Sequence, residues 1–183
     1  MALLRTTRAS WVEARLRALA NGGPEAVRVE GLAESLGVTK GGFYGQFSDR
    51  SELLEDMLDS WATAGVDQVI DEVERHGGDA RGKLTRLFAI AKLERAELLR
   101  TELAVRDWAR RDAMAAARVH RVDERRMEYM RTLFGELYAD DGIVEARCLL
   151  AFSLFIGSHF VVAGHGERTR DEVLDLAIGQ LMA

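Results

Sequence analysis

Small, polar and basic residues are concentrated between Thr39 and Arg50, and each type suits a different contact with a polyanion. Amino and guanidinium groups neutralise phosphates, hydroxyls and amides hydrogen-bond to phosphates or base edges, and glycines allow close approach of the backbone. Phe43 and Phe47 are four residues apart and share the opposite helical face. This composition suits a helix laid in the major groove of DNA. The candidate DNA-binding residues are Thr39, Lys40, Gly41, Gly42, Tyr44, Gln46 and Arg50.

The residues that precede this group predict a short helix followed by a tight turn. Gly37 lies where the end of a helix needs a residue that tolerates the left-handed conformation, and Thr39 can cap the next helix through its side-chain oxygen. The alternative is that the two glycines after Lys40 form only part of a turn and that Lys40 is only a solvated charge. The helical reading is favoured by three apolar residues on one face of the preceding helix, Leu32, Ala33 and Leu36.

The segment from Gly37 to Phe47, GVTKGGFYGQF, resembles the DNA-binding domain of the TetR family of transcriptional regulators, as does the following SDRSELL. The resemblance implies that Tyr44 gives its hydroxyl to a phosphate while its ring packs. It also implies that Thr39, Gly41 and Gly42 lie at base edges or the adjacent sugar-phosphate. The string RDWARRD, followed by HRVDERRMEYM, looks like the C-terminal domain of one branch of the family.

Helical periodicity runs through almost the whole chain of 183 residues, which contains one proline and no alternating β pattern. We therefore predict an all-α protein, with an N-terminal three-helix helix-turn-helix domain followed by a C-terminal helical bundle. Residues 1–50 form the predicted DNA-binding domain, and residues 51–183 the effector-binding and dimerisation domain. The predicted helices are Thr6–Ala20, Val29–Leu36, Lys40–Gln46, Asp49–Arg75, Leu84–Arg100, Thr101–Arg110, Ala113–Tyr138, Val144–Ala163 and Arg170–Met182.

Charge is distributed unevenly along the chain. The net charge is −5, but residues 1–50 sum to +2 and the remainder to −7, which fits a DNA reader that avoids indiscriminate binding. Arg5 and Arg8 could reach the DNA backbone or the minor groove from an N-terminal arm. The alternative for both is a disordered basic tail.

The sequence gives no support for an enzyme, a cofactor or a metal site. It lacks a nucleophile elbow, a phosphate-binding loop and a zinc-protease motif, and its four histidines have no metal-ligand spacing. The single cysteine, Cys148, excludes an internal disulfide and fits a reducing cytoplasm. The N-terminus lacks a signal-peptide core, and we expect the apolar run from Cys148 to Gly164 to be a buried helix, not a membrane span.

Two sites are expected in the second domain. Aromatic side chains could line an effector cavity, although such a stripe is more often plain core. Arg106, Asp107 and His120 could anchor a ligand or could equally form a structural ion pair near the helix ends. The cavity candidates are Trp61, Phe88, Arg106, Trp108, His120 and Phe152. The run from Cys148 to Gly164, with the last helix, could form a four-helix bundle at a two-fold axis or a monomeric core. Its interface candidates are Leu149, Phe152, Phe155, Ile156 and Phe160.

These observations favour a homodimeric, sequence-specific regulator that binds a near-palindromic double-stranded operator. The family resemblance favours a repressor that is released by a small, largely apolar effector. The alternative is a helical, dimeric small-molecule-binding protein without operator-specific DNA binding. The presence of Lys40, Tyr44 and Arg50 favours the first reading over the second, and an α-helical enzyme has no supporting residues.

Overall fold

The computed structural model describes residues 7–23, 26–93 and 96–183, and within these ranges every regular element is a helix. The all-α prediction is confirmed. A π-helical turn, Thr63–Asp67, lies between the fourth and fifth helices. The helices are α1 Arg8–Gly22, α2 Val29–Ser35, α3 Lys40–Tyr44, α4 Arg50–Ala62, α5 Gln68–His76, α6 Ala80–Leu93, α7 Ala96–Ala109, α8 Ala113–Gly135, α9 Asp141–Gly157 and α10 Arg170–Met182.

Several helices start at a side chain that accepts a hydrogen bond from an otherwise unpaired amide. Thr7 caps α1 through the amide of Ser10, and Asp140 caps α9 in the same way. Thr169 forms a reciprocal capping box with Glu172 at the start of α10. Thr39 occupies the N-cap position of α3 but makes no side-chain cap, so the predicted hydroxyl cap is wrong. Its backbone carbonyl closes this turn instead, accepting from Gly42 N at 2.9 Å.

The largest errors in the predicted helix boundaries lie at two places. Arg100 and Thr101, the predicted end and start of adjacent helices, both lie inside α7. The α9 helix ends at Gly157, six residues before Ala163. Glycine has low helix propensity, and the hydroxyl of Ser158 donates to the carbonyl of Phe155 at 3.2 Å and so occupies a terminal acceptor.

The described chain divides into two compact units, which are considered separately. The first unit comprises Met1–Gln68 and Arg95–Val122, and in it α1 packs against α2, α4 and α7. Its largest fully buried side chains include Trp11, Phe43 and Phe47. Burying one large apolar side chain contributes about 1.5–3 kcal/mol, so this core holds the short α3 in place. The predicted boundary at residue 50 separates a DNA-binding domain from an effector-binding domain. It concerns function, not compactness, and it stays a prediction.

The second unit comprises Val69–Glu94 and Asp123–Ala183. Its core is built from α6, the second half of α8, α9 and α10, with Phe134, Leu84 and Leu133 almost fully buried. Cys148 lies in this core as a free thiol, and burial raises its pKa to about 11, so the thiol is protonated at neutral pH. Within the described ranges, no helix is both long and apolar enough to cross a membrane.

Candidate nucleic-acid interface

The turn between α2 and α3 is a Schellman motif. Gly37 has a φ of 66°, the left-handed conformation that glycine adopts without strain. Its amide donates to the carbonyl of Glu34 at 3.0 Å, and the amide of Val38 donates to the carbonyl of Ala33 at 2.9 Å. These bonds satisfy the last carbonyls of α2 and turn the chain into α3, which gives the two short helices a helix-turn-helix arrangement.

Two phenylalanines fix the inner face of α3. Phe43 and Phe47 are buried, and their rings stack with centroids 5.4 Å apart. Trp11 of α1 contacts Phe43 edge-on at 5.6 Å. With this face held in the core, the predicted DNA-binding side lies outward. Tyr44 is 61% exposed, although its ring contacts Phe43 at 5.1 Å. Four further residues of this face are exposed: Thr39, Lys40, Gly41 and Gly42.

The fold itself does not require glycine at the two helical positions of α3. A Cβ added at Gly42 would meet Val38 at 3.8 Å, and one added at Gly41 would meet the Thr39 hydroxyl at 3.6 Å, both ordinary contacts. Neither residue has a positive φ. Since glycine inside a helix costs about 1 kcal/mol relative to alanine, the pair favours an external reason, namely close approach of another molecule.

Lys40 is already paired within the protein. Its ammonium forms an ion pair with the Glu30 carboxylate on α2. The hydrogen bond raises the pKa of Lys40 and lowers that of Glu30. Both side chains remain more than half exposed, so solvent screens the pair. A phosphate can therefore compete with Glu30 for the ammonium group.

Arg50 lies in the first turn of α4. Asp49 caps this helix by accepting from the amide of Glu52 at 2.9 Å, and Glu52 accepts from the amide of Ser48 at 2.7 Å. Arg50 is exposed, and its Nε donates to the carbonyl of Val27 at 3.5 Å. The positive end of the helix dipole adds to the guanidinium charge at this place, which suits a phosphate contact.

Gln46 is less available than the other candidates. It follows the end of α3, is only half exposed, and donates its amide to the carbonyl of Phe43 at 2.9 Å. Its own carbonyl accepts from Arg8 at 2.7 Å. The backbone of Gln46 thus holds the end of α3 against the start of α1.

Arg8 is not part of a free N-terminal arm. Its guanidinium bonds to Glu52 at 2.7 Å and to Asp56, both on α4, and stacks over the Phe47 ring at 4.4 Å. Asp56 first, then Glu52, raise the pKa of Arg8. The prediction for Arg8 is therefore corrected, because two carboxylates one turn apart on α4 hold it. The prediction for Arg5 lies outside the described residues.

The predicted effector-pocket residues divide between the two units. In the first unit, Trp61 donates its indole N–H to Glu102 at 3.1 Å, and Arg106 donates to the same carboxylate at 2.7 Å. Glu102 is 3% exposed and was not among the sequence candidates, because its partners become visible only once α4 and α7 pack. Trp108 is buried and His120 is exposed.

The second unit contains Phe88 and Phe152. Phe88 lies in the core, and Phe152 packs against it half-buried. Phe88 also lines a cavity of about 150 Å³ between α6, α9 and α10, whose other apolar walls include Leu154 and Ile178. Within the described ranges, no group of three or more histidine, cysteine, aspartate or glutamate residues is placed to hold a metal ion.

The predicted interface residues lie on or just beyond α9. Leu149 is 61% exposed and Phe160, beyond the end of α9, is 66% exposed, whereas Phe152, Phe155 and Ile156 are half-buried. Beside them, an apolar groove of about 570 Å³ runs between α9 and α10. It is lined by Ile143, Ala146, Arg147, Leu150, Leu154, Ala177, Gln180 and Leu181.

Comparison with solved structures shows the same fold over nearly the full chain. A transcriptional regulator from Rhodococcus sp. Rha1 is 21% identical with a TM-score of 0.71, over 97% of this chain and 96% of its own. SCO7518 from Streptomyces coelicolor A3(2) is 20% identical with a TM-score of 0.70, over 97% and 98%. A TetR family regulator from Marinobacter aquaeolei VT8 is 21% identical with a TM-score of 0.61, over 96% and 93%.

The sequence itself matches one family model. No curated protein matches the chain, but the model for bacterial regulatory proteins of the tetR family matches residues 12–57. That range contains most of α1, the helix-turn-helix of α2 and α3, and the first half of α4. The match and the geometry show a tetR-type DNA-binding domain over residues 12–57, in a chain whose fold is that of solved transcriptional regulators.

Proposed function

We propose that this regulator is a repressor that binds a near-palindromic operator as a homodimer, with α3 of each subunit in the major groove. The observation that carries the proposal is the exposed face of α3, where small, polar and basic side chains lie opposite the buried Phe43 and Phe47. Dimers of helix-turn-helix proteins bind half-sites one helical turn apart, about 34–36 Å. A two-fold symmetric operator follows from a two-fold symmetric dimer.

Apolar surface on α9 and α10 supports the dimer. Leu149, Leu150 and Leu176 are each more than half exposed, and the groove between these helices is lined mainly by apolar side chains. Exposed apolar patches of this kind mark interaction surfaces. Two copies of α9 and α10 packed about a two-fold axis would form a four-helix bundle and remove these side chains from water.

A small, largely apolar effector is proposed to release the operator. The candidates remain Trp61, Arg106, Trp108 and His120 in the first unit, and Phe88 and Phe152 in the second. The hydrogen bonds from Trp61 and Arg106 to the buried Glu102 support this proposal, because they bring polar groups beside aromatic surface. Residues 51–183 are proposed to bind the effector and to dimerise. Mass spectrometry of a co-purified ligand would identify the effector. The chain is proposed to act in the cytoplasm.

Fluorescence anisotropy with labelled duplexes tiled across the DNA upstream of the gene tests the proposal. We expect one duplex to bind more tightly than a shuffled duplex of the same composition, with two chains bound per duplex. A dimer that binds every duplex equally would contradict operator reading. It would instead support the alternative of a helical small-molecule-binding protein whose head does not read DNA.

The proposed release of the operator by an effector can be tested because the effects of two ligands on each other's affinity must be equal. If the effector weakens operator binding, the operator must weaken effector binding by the same factor, typically equivalent to about 1–3 kcal/mol. Isothermal titration of the identified ligand, with and without the operator duplex, measures this factor directly. Equal ligand affinity in the two titrations would exclude that ligand as an inducer while leaving the assignment of DNA binding intact.

A further inference from the structure

The cavity between α6, α9 and α10 of the second unit combines apolar walls with a charged mouth. Its volume is about 150 Å³. Its walls include Phe88 and Ala151, which belong to the core of the unit, and the half-buried Leu154 and Ile178. An apolar cavity of about this volume is large enough for benzene, whereas drug-sized ligands need about 300 Å³ or more. The walls therefore fit the hydrocarbon body of a small, single-ring ligand.

Charged and polar side chains line the open side of the same cavity. His159, Arg170 and Asp171 are exposed, and Lys92 is half-buried. The ammonium group of Lys92 forms an ion pair with Asp175 at 2.7 Å. Asp175 first, and then Asp171, raise the pKa of Lys92. Both carboxylates beside the cavity are thus associated with Lys92, at one side of the mouth.

Arg170 is the cation at the other side of the mouth. Its Nη1 donates to the carbonyl of Val161 at 2.9 Å, and it forms no ion pair with any residue that the structure describes. Partial burial first, and then the charge of Arg170, lower the pKa of His159. The imidazole is therefore uncharged at neutral pH, and the positive charge at this side belongs to the guanidinium group.

We propose that this cavity binds a small carboxylate with a single-ring hydrocarbon body, whose ring lies against Phe88 and Leu154 and whose carboxylate pairs with Arg170. Guanidinium and carboxylate groups match in geometry and form charge-assisted hydrogen bonds, and an aromatic ring packs well against Phe88. The inference deepens the proposed function, on which the role of this ligand as the effector rests. Its binding to the cavity does not depend on DNA.

The charges at the mouth favour a carboxylate over other ligands of the same size. An uncharged ligand would make no ion pair with Arg170, and a cationic ligand would be repelled by it. A cation would also have to displace Lys92 from its pair with Asp175. If the cavity were only a gap in the packing, any benzene-sized molecule would enter it equally, and Arg170 would have no effect on binding.

Isothermal titration of the full chain with sodium benzoate and with benzamide, its uncharged counterpart, tests the role of the charge. We expect benzoate to bind roughly tenfold more tightly than benzamide. Arg170→Gln should remove this difference by weakening benzoate binding alone, and Arg170→Lys should keep most of it. Arg168→Gln is the matched control, because Arg168 is exposed, lies outside the cavity lining and carries the same charge. It should behave as the wild type.

A variant that fills the cavity tests the location. Ala91 lines the cavity from α6, so Ala91→Phe should abolish binding of both probes. Ala89→Phe, at an exposed position of the same helix outside the lining, should retain it. Circular dichroism checks that the variants are folded. Ile178→Phe, from the wall on α10, is the second variant should Ala91→Phe fail to fold.

Three results would overturn the proposal: equal affinities for benzoate and benzamide, an equal loss of benzoate binding in the Arg170 and Arg168 variants, or undiminished binding in a folded variant with a filled cavity. Arg170-dependent benzoate binding by a protein that binds no operator would uphold the site and reject the operator function. Operator binding without Arg170-dependent benzoate binding would do the reverse. Saturating benzoate should weaken operator binding severalfold, and an unchanged operator affinity would reject its role as an effector.

Discussion

Glu30 on α2 holds the ammonium group of Lys40 on α3 in an ion pair, so the basic residue at the start of α3, the proposed recognition helix, is paired in the free protein. Any phosphate that takes Lys40 must displace a carboxylate that itself repels DNA. We therefore expect Glu30 to lower the affinity for DNA of any sequence, and duplexes that offer further contacts to α3 to compensate for this loss.

Replacing Glu30 with glutamine should raise the affinity for random-sequence DNA. Loss of the ion pair frees Lys40, and because both side chains are largely exposed and screened by solvent, we expect the increase to be severalfold at most. Fluorescence anisotropy with a shuffled duplex measures it. Glu34→Gln, at an exposed position of the same helix, is the matched control. Equal affinities for the two variants would show that the pair does not restrain Lys40.

Arg50→Ala should weaken binding to all duplexes nearly equally, because Arg50 is proposed to contact the sugar-phosphate backbone at the start of α4. Loss of one phosphate contact should lower the slope of log K against log salt by about 0.9. Titrations at several salt concentrations measure this slope. Arg75→Ala, at an exposed position of α5, should leave it unchanged. A changed sequence preference at a constant slope would mean that Arg50 reads bases.

Gly42→Leu should abolish specific binding and leave the protein folded. The added side chain meets only ordinary contacts with Val38, and leucine is a better helix former than glycine, so thermal stability should be unchanged or higher. The same bulk would hold α3 away from the groove. Circular dichroism and anisotropy measure the two effects, with Gly135→Leu as a control in open space. Tight operator binding by Gly42→Leu would exclude this face from the interface.

Leu149→Arg should dissociate the proposed dimer without unfolding the subunit. Leu149 is largely exposed, so arginine is tolerated in a monomer but would be buried unpaired between two copies, at a cost of several kcal/mol. Phe155 is a poorer position for this test, because its ring contacts Phe152 and His159 within the unit. Analytical ultracentrifugation gives the state of assembly. Ala89→Arg, exposed on α6, should remain dimeric, and a dimeric Leu149→Arg would move the interface elsewhere.

Glu52 should contribute stability at neutral pH that is lost in acid. The Ser48 amide first, and then Arg8, lower the pKa of Glu52 to about 2 from an ordinary value of 4.5. Because the folded pKa is depressed, the contribution is complete above pH 4.5 and is lost as the pH falls towards 2. Urea unfolding from pH 7 to pH 3 should show a steeper loss for the wild type than for Glu52→Gln. Glu55→Gln, exposed on α4, should behave as the wild type, and parallel profiles for all three proteins would contradict the assignment.

Local patterns predicted the start and end of several elements closely. The α10 helix matches its predicted bounds, Arg170–Met182, and α2 and α3 begin at the predicted Val29 and Lys40. These elements carry their signals in adjacent residues, such as the capping box at Thr169 and the left-handed glycine at position 37. The helix-turn-helix could be predicted for the same reason, since its turn chemistry lies within a few residues.

Features that depend on distant partners could not be predicted in this way. Arg8 is separated by 44 and 48 positions from Glu52 and Asp56, and only the packing of α1 on α4 brings them together. The π-helical turn after Ala62 was not predicted either, although the spacing of the buried residues is consistent with it. Buried residues of α4 recur at intervals of three or four up to Trp61, and the next buried residue, Val66, follows after five.

The first unit is discontinuous in sequence, and this has a consequence for the order of events during synthesis. The α1 helix packs against α7. The first unit therefore cannot complete its packing when residue 68 leaves the ribosome. It must wait for Arg95–Val122, which at about 5–20 residues per second arrives several seconds later. In that interval the surface of α1 that later packs against α7 is accessible to chaperones and proteases. The nascent chain then lacks the complete packing of the unit that holds α3.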